Sequence, residues 1–478
     1  MLIIAYERDE TFLQRVPFPV EIEPRWMELD RLLADPKLLL LVTNDLLQSA
    51  PQAAWNGRPA TPVDVTLRLA VLRRLMDWSY RTVEDQITGN VIWRWFCHIE
   101  AHAVPDHSTI HARERLIQPA TVHKLHERVV KVAIEQTLTR GRQLRTDGTV
   151  IETNIHYPSD SHLLSDSVRV LGRLLQRARG WLKPRRADQK VLFRNATRKA
   201  KRLAYRISHR LRARDGKKRP QNVAQKPYRQ LLKLTQTTLQ HARQIEVQLG
   251  AHAQPAARHL AESLAHYMPL VQQVIEQTEA RVFQKKTVPA TQKVVSLFEP
   301  HTAVIRRGRP APRDTEFGRK VWFSEVDGGI ISDYRLLPGN PPDAQQWPHS
   351  LQQHQKLFAH PPDMAVADRG VFSLDNEQLA QAQGIEQVAL PQPGAKSAER
   401  EAYEAQPWFK AALKFRAGIE GRISGLKRAR GLDRCLNHGE DGMLRWLGWS
   451  VITNNLVGMA TQLARRHRTR HFSNHADA

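Results

Sequence analysis

Three acidic residues in separate parts of the chain have the side-chain type and the surroundings needed to hold divalent metal ions. Asp147 lies in "LRTDGTVIETN", whose Val, Ile and Thr residues are typical of a strand. Asp368 follows the short apolar run 364–367, and Glu420 lies in a segment with helical spacing. Phosphodiester chemistry with two divalent ions needs carboxylates that converge from separate elements. These residues are therefore the candidate metal ligands.

Each of the three acids also has an ordinary structural interpretation. Asp147 precedes Gly148 between residues that favour strands, and an Asp-Gly pair in that setting is a strong signal for a hairpin turn. Asp368 can be a solvated residue at the mouth of a loop. Glu420 can form an i,i+4 ion pair with Arg416 on an exposed helix face. The residues alone leave both interpretations open.

The first 135 or so residues are predicted to be helical. One helix is expected in "TPVDVTLRLAVLRRLM", with Thr61 as its N-cap. Others are expected in "RTVEDQITG" and "PDHSTIHARERLI". Short helices with tight connections are compatible with a helix-turn-helix module and equally with a plain helical subdomain.

Strands and helices that would carry the acids are predicted in the rest of the chain. Strands are expected at 142–156, in "KVVSLFEP" and "TAVIRRG", and as a hairpin in "KVWFSEVDGGIISDYRLL". A strand at 364–367, a helix capped by Ser373 and a strand at 385–390 form a unit that makes parallel strands. A long helix is predicted over 407–427, and it would carry Glu420. In such sheets, sites form beyond the carboxyl ends of the strands.

Composition and charge narrow the class of partner. The 478 residues include 72 Lys and Arg against 48 Asp and Glu, a formal charge of +24, which favours a polyanion such as nucleic acid. The longest apolar stretch, 442–464, is interrupted by polar residues and predicts a buried core helix, not a membrane span. The start, "MLIIAYERDE", lacks the basic region of a signal peptide. Two cysteines suit a reducing cytoplasm.

The segment 183–219 carries much of the positive charge. It contains sixteen Lys or Arg and two acids, a net charge of +14, within a region predicted to be helical from about 163 to 285. A run of charge is usually a solvated face, but one sign in such excess favours contact with phosphate. The predicted DNA-binding residues are Arg198, Lys199, Lys201, Arg202, Arg206 and Arg210 in this segment, with Arg369, Arg416 and Lys427 near the acids.

Five stretches of the chain together resemble a known family. They are "RTDGTVIETNIHYPSDSHLLSDSVRVL", "VPATQKVVSLFEPHTAVIRRGR", "FGRKVWF", "VADRGVFS" and "GIEGRISGLKRARGLDRC". With them, the chain resembles bacterial insertion-sequence transposases of the DDE type, most closely the ISNCY-like group related to the IS-five-like families. The helical start, "TPVDVTLRLAVLRRLMDWSYRTVEDQI", looks like the N-terminal domain that accompanies such catalytic domains. The resemblance covers most of the chain.

The resemblance implies a site, its cofactors and its partners. The family's catalytic triad falls on Asp147, Asp368 and Glu420, which would hold two Mg²⁺ or Mn²⁺ ions. Its tyrosine–arginine–glutamate–lysine signature falls on Arg416, Glu420 and Lys427, and Leu413 stands where the tyrosine is expected. The implied function is metal-dependent cleavage of double-stranded DNA at terminal inverted repeats, and strand transfer into target DNA by direct transesterification. The implied assembly is at least a homodimer on DNA in the bacterial cytoplasm, associated with the nucleoid.

The fold class implied by the resemblance is α/β, with an RNase H-like catalytic domain, a basic helical insertion and an all-α N-terminal domain. Two other functions stay open: an RNase H-like nuclease that cuts without joining, and a domesticated DNA-binding protein. The expected boundaries are 1–135 for the N-terminal domain, 136–156 and 291–465 for the catalytic domain, 157–290 for the insertion and 466–478 for a basic tail.

A zinc site is a weaker hypothesis. The stretch "FCHIEAH" and the residues after it could supply Cys97, His98, His102 and His107. Structural zinc sites usually draw their ligands as two spaced pairs, which this spacing does not provide. Polar histidines at helix ends are the favoured interpretation.

Overall fold

A computed structural model describes residues 1–17, 19–182, 193–211, 221–306 and 315–476. The chain divides into two compact units, the first formed by 1–152 and 320–478 and the second by 153–319. The helices in the described residues are α1 (Pro24–Leu33), α2 (Pro36–Ser49), α3 (Val63–Met76), α4 (Tyr80–Gly89), α5 (Val91–Phe96), α6 (His107–Leu116), α7 (Pro119–Glu135), α8 (Asp160–Ala178), α9 (Thr197–Leu211), α10 (Gln225–Gly250), α11 (Pro255–Thr278), α12 (Trp347–Phe358), α13 (Leu374–Ala382), α14 (Ala398–Ala405), α15 (Pro407–Ala429) and α16 (Gly439–Ala476). The strands are β1 (Gln143–Thr153), β2 (Ala303–Arg306), β3 (Thr315–Val326), β4 (Ile330–Leu336), β5 (Met364–Val366), β6 (Gln387–Ala389) and β7 (Arg434–Cys435).

The N-terminal part of the first unit is helical, as predicted, and α3, α4 and α6 occupy the three expected segments. The predicted N-cap of α3 is wrong, because the helix begins at Val63 and Thr61 lies outside it. The backbone N–H groups of Val63 and Asp64 donate to the carbonyls of Ile3 and Ile4, each at 2.9 Å. The N-terminal segment therefore satisfies the first helical donors in place of a side-chain cap.

The sheet of the first unit contains both parallel and antiparallel pairs. Its strands follow the order β4-β3-β1-β5-β6, and the short β7 also pairs with β1. β1, β5 and β6 are parallel, whereas β3 and β4 form the predicted antiparallel hairpin. Helix α13 connects β5 to β6 and is capped by the hydroxyl of Ser373, as predicted. The chain is therefore a mixed α/β protein.

Helix α16 is the apolar segment that was expected to be a core helix. Most of its large side chains between Met443 and Leu463 are buried, and part of them share one hydrophobic core with α1–α7 and the sheet. The prediction of a buried helix is confirmed. In the described ranges, no helix combines the length and the apolar character that a membrane crossing needs. The helix continues through most of the predicted basic tail.

The second unit is built around α8, α9, α10 and α11, which pack on one another. The apolar stripe that the spacing of α10 predicts is confirmed as its buried face. β2 pairs in antiparallel register with residues 315–318 of β3. The buried residues of the α10 stripe are Tyr228, Leu232, Thr235, Leu239, Ala242, Ile245 and Leu249.

The predicted strand in "KVVSLFEP" is wrong. Residues 293–298 have no regular secondary structure, and their apolar side chains pack into the core of the second unit. The side-chain amide of Gln277 bonds both the backbone N–H and the carbonyl of Val294, at 3.0 and 3.1 Å. One side chain thus replaces the hydrogen bonds that a neighbouring strand would have supplied.

The chain enters and leaves the second unit at adjacent positions. The hydroxyl of Thr153 donates to the carbonyl of Phe317 at 3.4 Å and lies 2.9 Å from the hydroxyl of Thr302. Thr153 is the first residue of this unit, and Phe317 is near its last. The two connections to the rest of the chain therefore start side by side.

Candidate active site

Asp147 lies inside a strand and not in a turn. β1 is continuous from Gln143 to Thr153, with β3 as one neighbour and β5 as the other. The backbone N–H of Gly148 donates to Asp147 Oδ1 at 2.7 Å. The hairpin-turn interpretation is wrong, because a strand with a partner on each side has no place for a reversal of the chain.

The pairing of β1 with β5 places Asp147 and Asp368 at the same level of the sheet. The two strands are parallel, and Arg145 is the partner of Val366. Each acid lies two residues beyond that pair, so both are found where β5 ends. The backbone N–H of Gly370 donates to Asp368 Oδ1 at 3.0 Å and orients the carboxylate. This is the edge at which sites form in α/β sheets.

The environment of the two aspartates disfavours their negative charge. Burial raises the pKa of Asp147 to about 6; the Arg416 charge opposes this shift, and the charges of Asp368 and Glu420 add to it. Burial and then the neighbouring charge of Asp343 raise the pKa of Asp368. Neighbouring, partly buried carboxylates whose charge is disfavoured in this way would be stabilised by a hard cation, which prefers oxygen ligands.

Helix α15 brings Glu420 and Arg416 to this edge of the sheet. Arg416 Nη2 donates to Glu420 Oε1 at 2.7 Å, and its Nη1 lies 3.5 Å from Asp147 Oδ2. The predicted i,i+4 pair therefore exists, but its guanidinium also contacts Asp147, a partly buried acid of the sheet. The Glu420 side chain is 62% exposed, whereas that of Asp147 is 19% exposed. Arg416 thus contacts two of the three predicted ligands, and its charge also acts on the third, Asp368.

Three other predicted positions lie on the same elements. Arg369 is exposed directly after Asp368, and Lys427 is partly buried two turns after Glu420 on α15. Leu413, at the position where the resemblance leads us to expect a tyrosine, is partly buried in a small apolar cluster that includes residues of α15. Its side chain has no hydroxyl, so any polar role of that position is absent here.

A buried carboxylate beneath α15, which sequence analysis missed, fixes this helix on the sheet. Glu325 on β3 is fully buried, and Arg145 on β1 donates to both of its oxygens, at 2.7 and 3.1 Å. Arg422 on α15 donates to Glu325 Oε1 at 3.2 Å. Arg145 also donates to the carbonyl of Phe415 and lies over its ring, 4.4 Å from the centroid. These contacts join β1, β3 and α15, the elements around the acids.

Gly418 leaves the space that Arg145 occupies. A Cβ at Gly418 would lie 2.3 Å from Arg145 Nη1, whereas a Cβ at Gly421 would have no atom within 4 Å.

We expect Gly421→Ala to stabilise α15 by up to about 1 kcal/mol through helix propensity. Gly418→Ala gains the same propensity but displaces Arg145 from Glu325, so it should destabilise the protein. Urea denaturation of both variants measures the difference; equal stabilisation by the two would contradict the role given to Gly418.

The six predicted DNA-binding residues of α9 lie on one exposed helix face. The opposite face packs into the second unit through Ala200, Leu203, Ala204 and Ile207. Within the described ranges, no acidic side chain pairs with any of the six. Positions 183–192 and 212–219 of the basic segment lie outside the described residues. The six exposed residues are Arg198, Lys199, Lys201, Arg202, Arg206 and Arg210.

The structure does not support the zinc hypothesis. Among the described residues, no three His, Cys, Asp or Glu side chains are grouped as ligands of one metal ion, and this includes Asp147, Asp368 and Glu420. The four proposed ligands instead make separate contacts. Cys97 is buried, His98 contacts Asp30 and Asp64, His102 stacks on Tyr6, and His107 contacts Glu84.

Comparison with known proteins gives two matches. Residues 25–115, which span α1 to α6, match a family described as Transposase domain (DUF772). The chain is also 29% identical over 123 residues to an uncharacterized protein of Rhizobium meliloti, ORF8 in the nfe locus. That similarity covers 24% of this chain and 59% of the relative. No solved structure matches the chain. Residues 25–115 are therefore similar to a transposase domain.

Proposed function

We propose that the protein is a DDE transposase that cleaves DNA at the ends of an insertion element and joins those ends to target DNA. The observation that carries this proposal is the register of β1 and β5, which puts Asp147 and Asp368 side by side, with Arg416 connecting Asp147 to Glu420. Two acids on adjacent strands and one on a later helix supply carboxylates from three separate elements, as phosphodiester chemistry with metal ions requires.

The strand order supports an RNase H-like catalytic domain. β1 is central, the β3–β4 hairpin lies on one side of it, and the parallel strands β5 and β6 lie on the other. The second acid follows the first of those parallel strands, and the third lies on a helix later in the chain. Residues 153–319 separate β1 from most of β3, as expected for an insertion into such a domain.

Asp147, Asp368 and Glu420 offer the carboxylate oxygens that divalent cations prefer, and the two aspartates are partly buried with raised pKa values. In the structure the three side chains are not grouped around one ion position. Bound Mg²⁺ or Mn²⁺ would activate the attacking water or 3′-hydroxyl and stabilise the leaving oxygen. The protein's own groups orient the DNA. Arg416 and Lys427 share a face of α15 with Glu420 and would hold the phosphates beside the scissile bond.

The exposed face of α9 is the proposed contact for the DNA backbone. Its cations lie in rows along one helix, and the formal charge of the chain is +24. Contacts of this kind bind any sequence and position the duplex. Because two element ends must be held together for joining, we propose at least a homodimer on DNA.

Two alternative functions would give different DNA products. An RNase H-like nuclease would cut without joining, and a DNA-binding protein without activity would do neither. The presence of Asp147, Asp368 and Glu420 at the proposed site favours an enzyme over a pure binder, because a protein that only binds phosphate gains nothing from acids at the contact.

A strand-joining assay tests the proposed function. The full-length protein is incubated with a labelled duplex that carries the DNA end flanking its gene, a target plasmid, and Mg²⁺ or Mn²⁺ over a range of concentrations. Joined products support a transposase, cleaved but unjoined ends indicate a nuclease, and a bound but intact duplex indicates a binding protein. A chelator provides the metal-free control.

We expect replacement of Arg198, Lys199, Lys201 and Arg202 by Gln to weaken the salt dependence of DNA binding. The logarithm of the DNA-binding constant falls as the logarithm of the salt concentration rises, and each phosphate contact adds about 0.9 to the steepness of this fall. Loss of four contacts should therefore make the slope shallower by roughly three to four units. Fluorescence anisotropy with duplex DNA measures the slope at salt concentrations of roughly 50 to 200 mM, over which binding through several phosphate contacts falls by about 10³-fold or more.

The matched control removes the same number of charges from exposed positions of α10. Its slope should stay near that of the wild type. If the α9 variant has an unchanged slope, its basic residues are a solvated face and do not contact DNA. The control positions are Lys226, Arg229, Lys233 and Arg243.

A further inference from the structure

A groove in the second unit lies between α8 and α9. Its volume is about 500 Å³, within the roughly 300 to 1,000 Å³ that small-molecule sites occupy. Helix α8 supplies His162, Asp166 and Arg169 to its wall, and α9 supplies Lys201 and Tyr205. All of these residues belong to the same compact unit. The groove therefore combines an aromatic ring, charged groups and enough room for a small ligand.

Tyr205 gives the groove an exposed aromatic surface. The residue is 71% exposed, and His209, one turn later on α9, also lines the groove. The two rings have their centroids 6.2 Å apart and their planes tilted by 30°. A single exposed aromatic residue is common and needs no explanation. Exposed rings beside cations, however, are the surface on which proteins stack the bases of single-stranded nucleic acid.

Positive charge lies beside this tyrosine. Lys201 is exposed one turn before Tyr205 on α9. Across the groove, Arg169 Nη2 lies 2.9 Å from Asp166 Oδ1, and His156 Nε2 lies 3.5 Å from Asp166 Oδ2. Asp166 thus orients Arg169, whose side chain stays 42% exposed. The lining has two cations against one acid, so it favours an anionic ligand.

We propose that this groove binds a single nucleotide, with its base stacked on Tyr205 and its phosphate beside Lys201 and Arg169. A duplex keeps its bases stacked on one another, so the ligand is either an unpaired nucleotide of a DNA strand or a free nucleotide. The site goes beyond the proposed function, because it includes no residue of the triad and its occupancy needs neither cleavage nor joining.

Binding of the full-length protein to a labelled oligothymidylate, measured by fluorescence anisotropy, tests the stacked base. We expect Tyr205→Ala to raise the Kd by about 5- to 150-fold, the effect of losing one stacked base. The same strand paired with oligoadenylate should bind Tyr205→Ala like the wild type. Tyr205→Phe keeps the ring and should bind the single strand like the wild type. Both variants should fold, because this side chain is exposed.

Lys201→Gln separates the charge from the ring. Each phosphate contact with a single strand adds about 0.7 to the steepness with which the logarithm of the binding constant falls against the logarithm of the salt concentration. Lys201→Gln should make this slope shallower by about that amount. Tyr205→Ala should lower the affinity at every salt concentration and leave the slope unchanged.

Tyr157→Ala is the matched control. Tyr157 is 78% exposed in the same unit, but it lies beside a different cavity, edge-on to Phe317 at 5.4 Å. Its replacement should leave the Kd for the single strand unchanged.

Calorimetric titration with ATP distinguishes the two sources of the nucleotide. If ATP binds the wild type but not Tyr205→Ala, the groove accepts a free nucleotide; if ATP does not bind and only the single strand depends on Tyr205, the ligand is unpaired DNA. The proposal is overturned if Tyr205→Ala binds both ligands like the wild type, or if it loses duplex and single strand equally. Because no step requires joining, this test and the strand-joining assay can fail independently.

Discussion

We expect Asp147→Asn and Asp368→Asn each to lower the rate of DNA cleavage by about 10³-fold, while duplex binding stays at the wild-type level. A metal ion contributes several kcal/mol to the stabilisation of charge in the transition state, and about 4 kcal/mol corresponds to about 10³-fold in rate. Loss of one carboxylate should remove most of this contribution. Gel assays of a labelled element end measure cleavage, and mobility shifts of the same duplex measure binding.

Neither substitution should lower the stability of the fold. Burial disfavours the charge of both aspartates, as their raised pKa values indicate, and asparagine keeps the shape of the side chain without the charge. Asp363→Asn, at the other end of β5, should cleave like the wild type. Cleavage at the wild-type rate by either Asp147→Asn or Asp368→Asn would remove that residue from the proposed triad.

The second large effect is expected at Glu325. We expect Glu325→Gln to lower the free energy of unfolding by about 3 to 5 kcal/mol, because it leaves the guanidinium of Arg145 buried without its carboxylate. The same change should also slow cleavage, since Glu325 joins the strand that carries Asp147 to the helix that carries Glu420. Urea denaturation followed by circular dichroism measures the stability.

An exposed ion pair in the same unit provides the control. Glu152 and Arg434 pair at 2.5 Å, with side chains 38% and 49% exposed. Glu152→Gln should cost no more than about 1 kcal/mol, as exposed pairs do. A double variant, Glu325→Leu with Arg145→Leu, should be less destabilised than the sum of its single changes. If Glu325→Gln is as mild as Glu152→Gln, the buried contacts do not hold α15 in place.

Composition and hydrophobic spacing predicted the elements that carry the acids. Strand β1, the unit from β5 to β6 and helix α15 were all expected at nearly their observed bounds, because β1 is rich in β-branched residues, β5 and β6 are short apolar runs, and α15 has apolar residues at helical spacing. The register of β1 on β5 could not be predicted in this way. It depends on pairing between Arg145 and Val366, which are far apart in the chain.

The contacts that support the site were harder to predict. Glu325 stands in the apolar run "KVWFSEV", and a charged residue in such a strand signals a buried charge that needs a partner. The identity of that partner, Arg145, depends on the tertiary fold. Asp343 lies in "GNPPDAQQ", which reads as an ordinary turn, so nothing in the local sequence indicates its place beside Asp368. The strand predicted in "KVVSLFEP" failed because the side chain of Gln277 replaced a strand partner.

The adjacency of Thr153 and Phe317 affects how the sheet can assemble. The parallel pair β1–β5 joins segments on either side of the second unit, and parallel pairing between distant segments is intrinsically slow. Closing a flexible loop as long as 153–319 would cost on the order of 4 to 5 kcal/mol in its length-dependent part. Once the second unit folds, its neighbouring ends make this loop a short connection. The second unit is also synthesised before β5. If it folds first, the ends of the loop are already close together when β5 pairs with β1, and most of the entropic cost of loop closure no longer opposes that pairing.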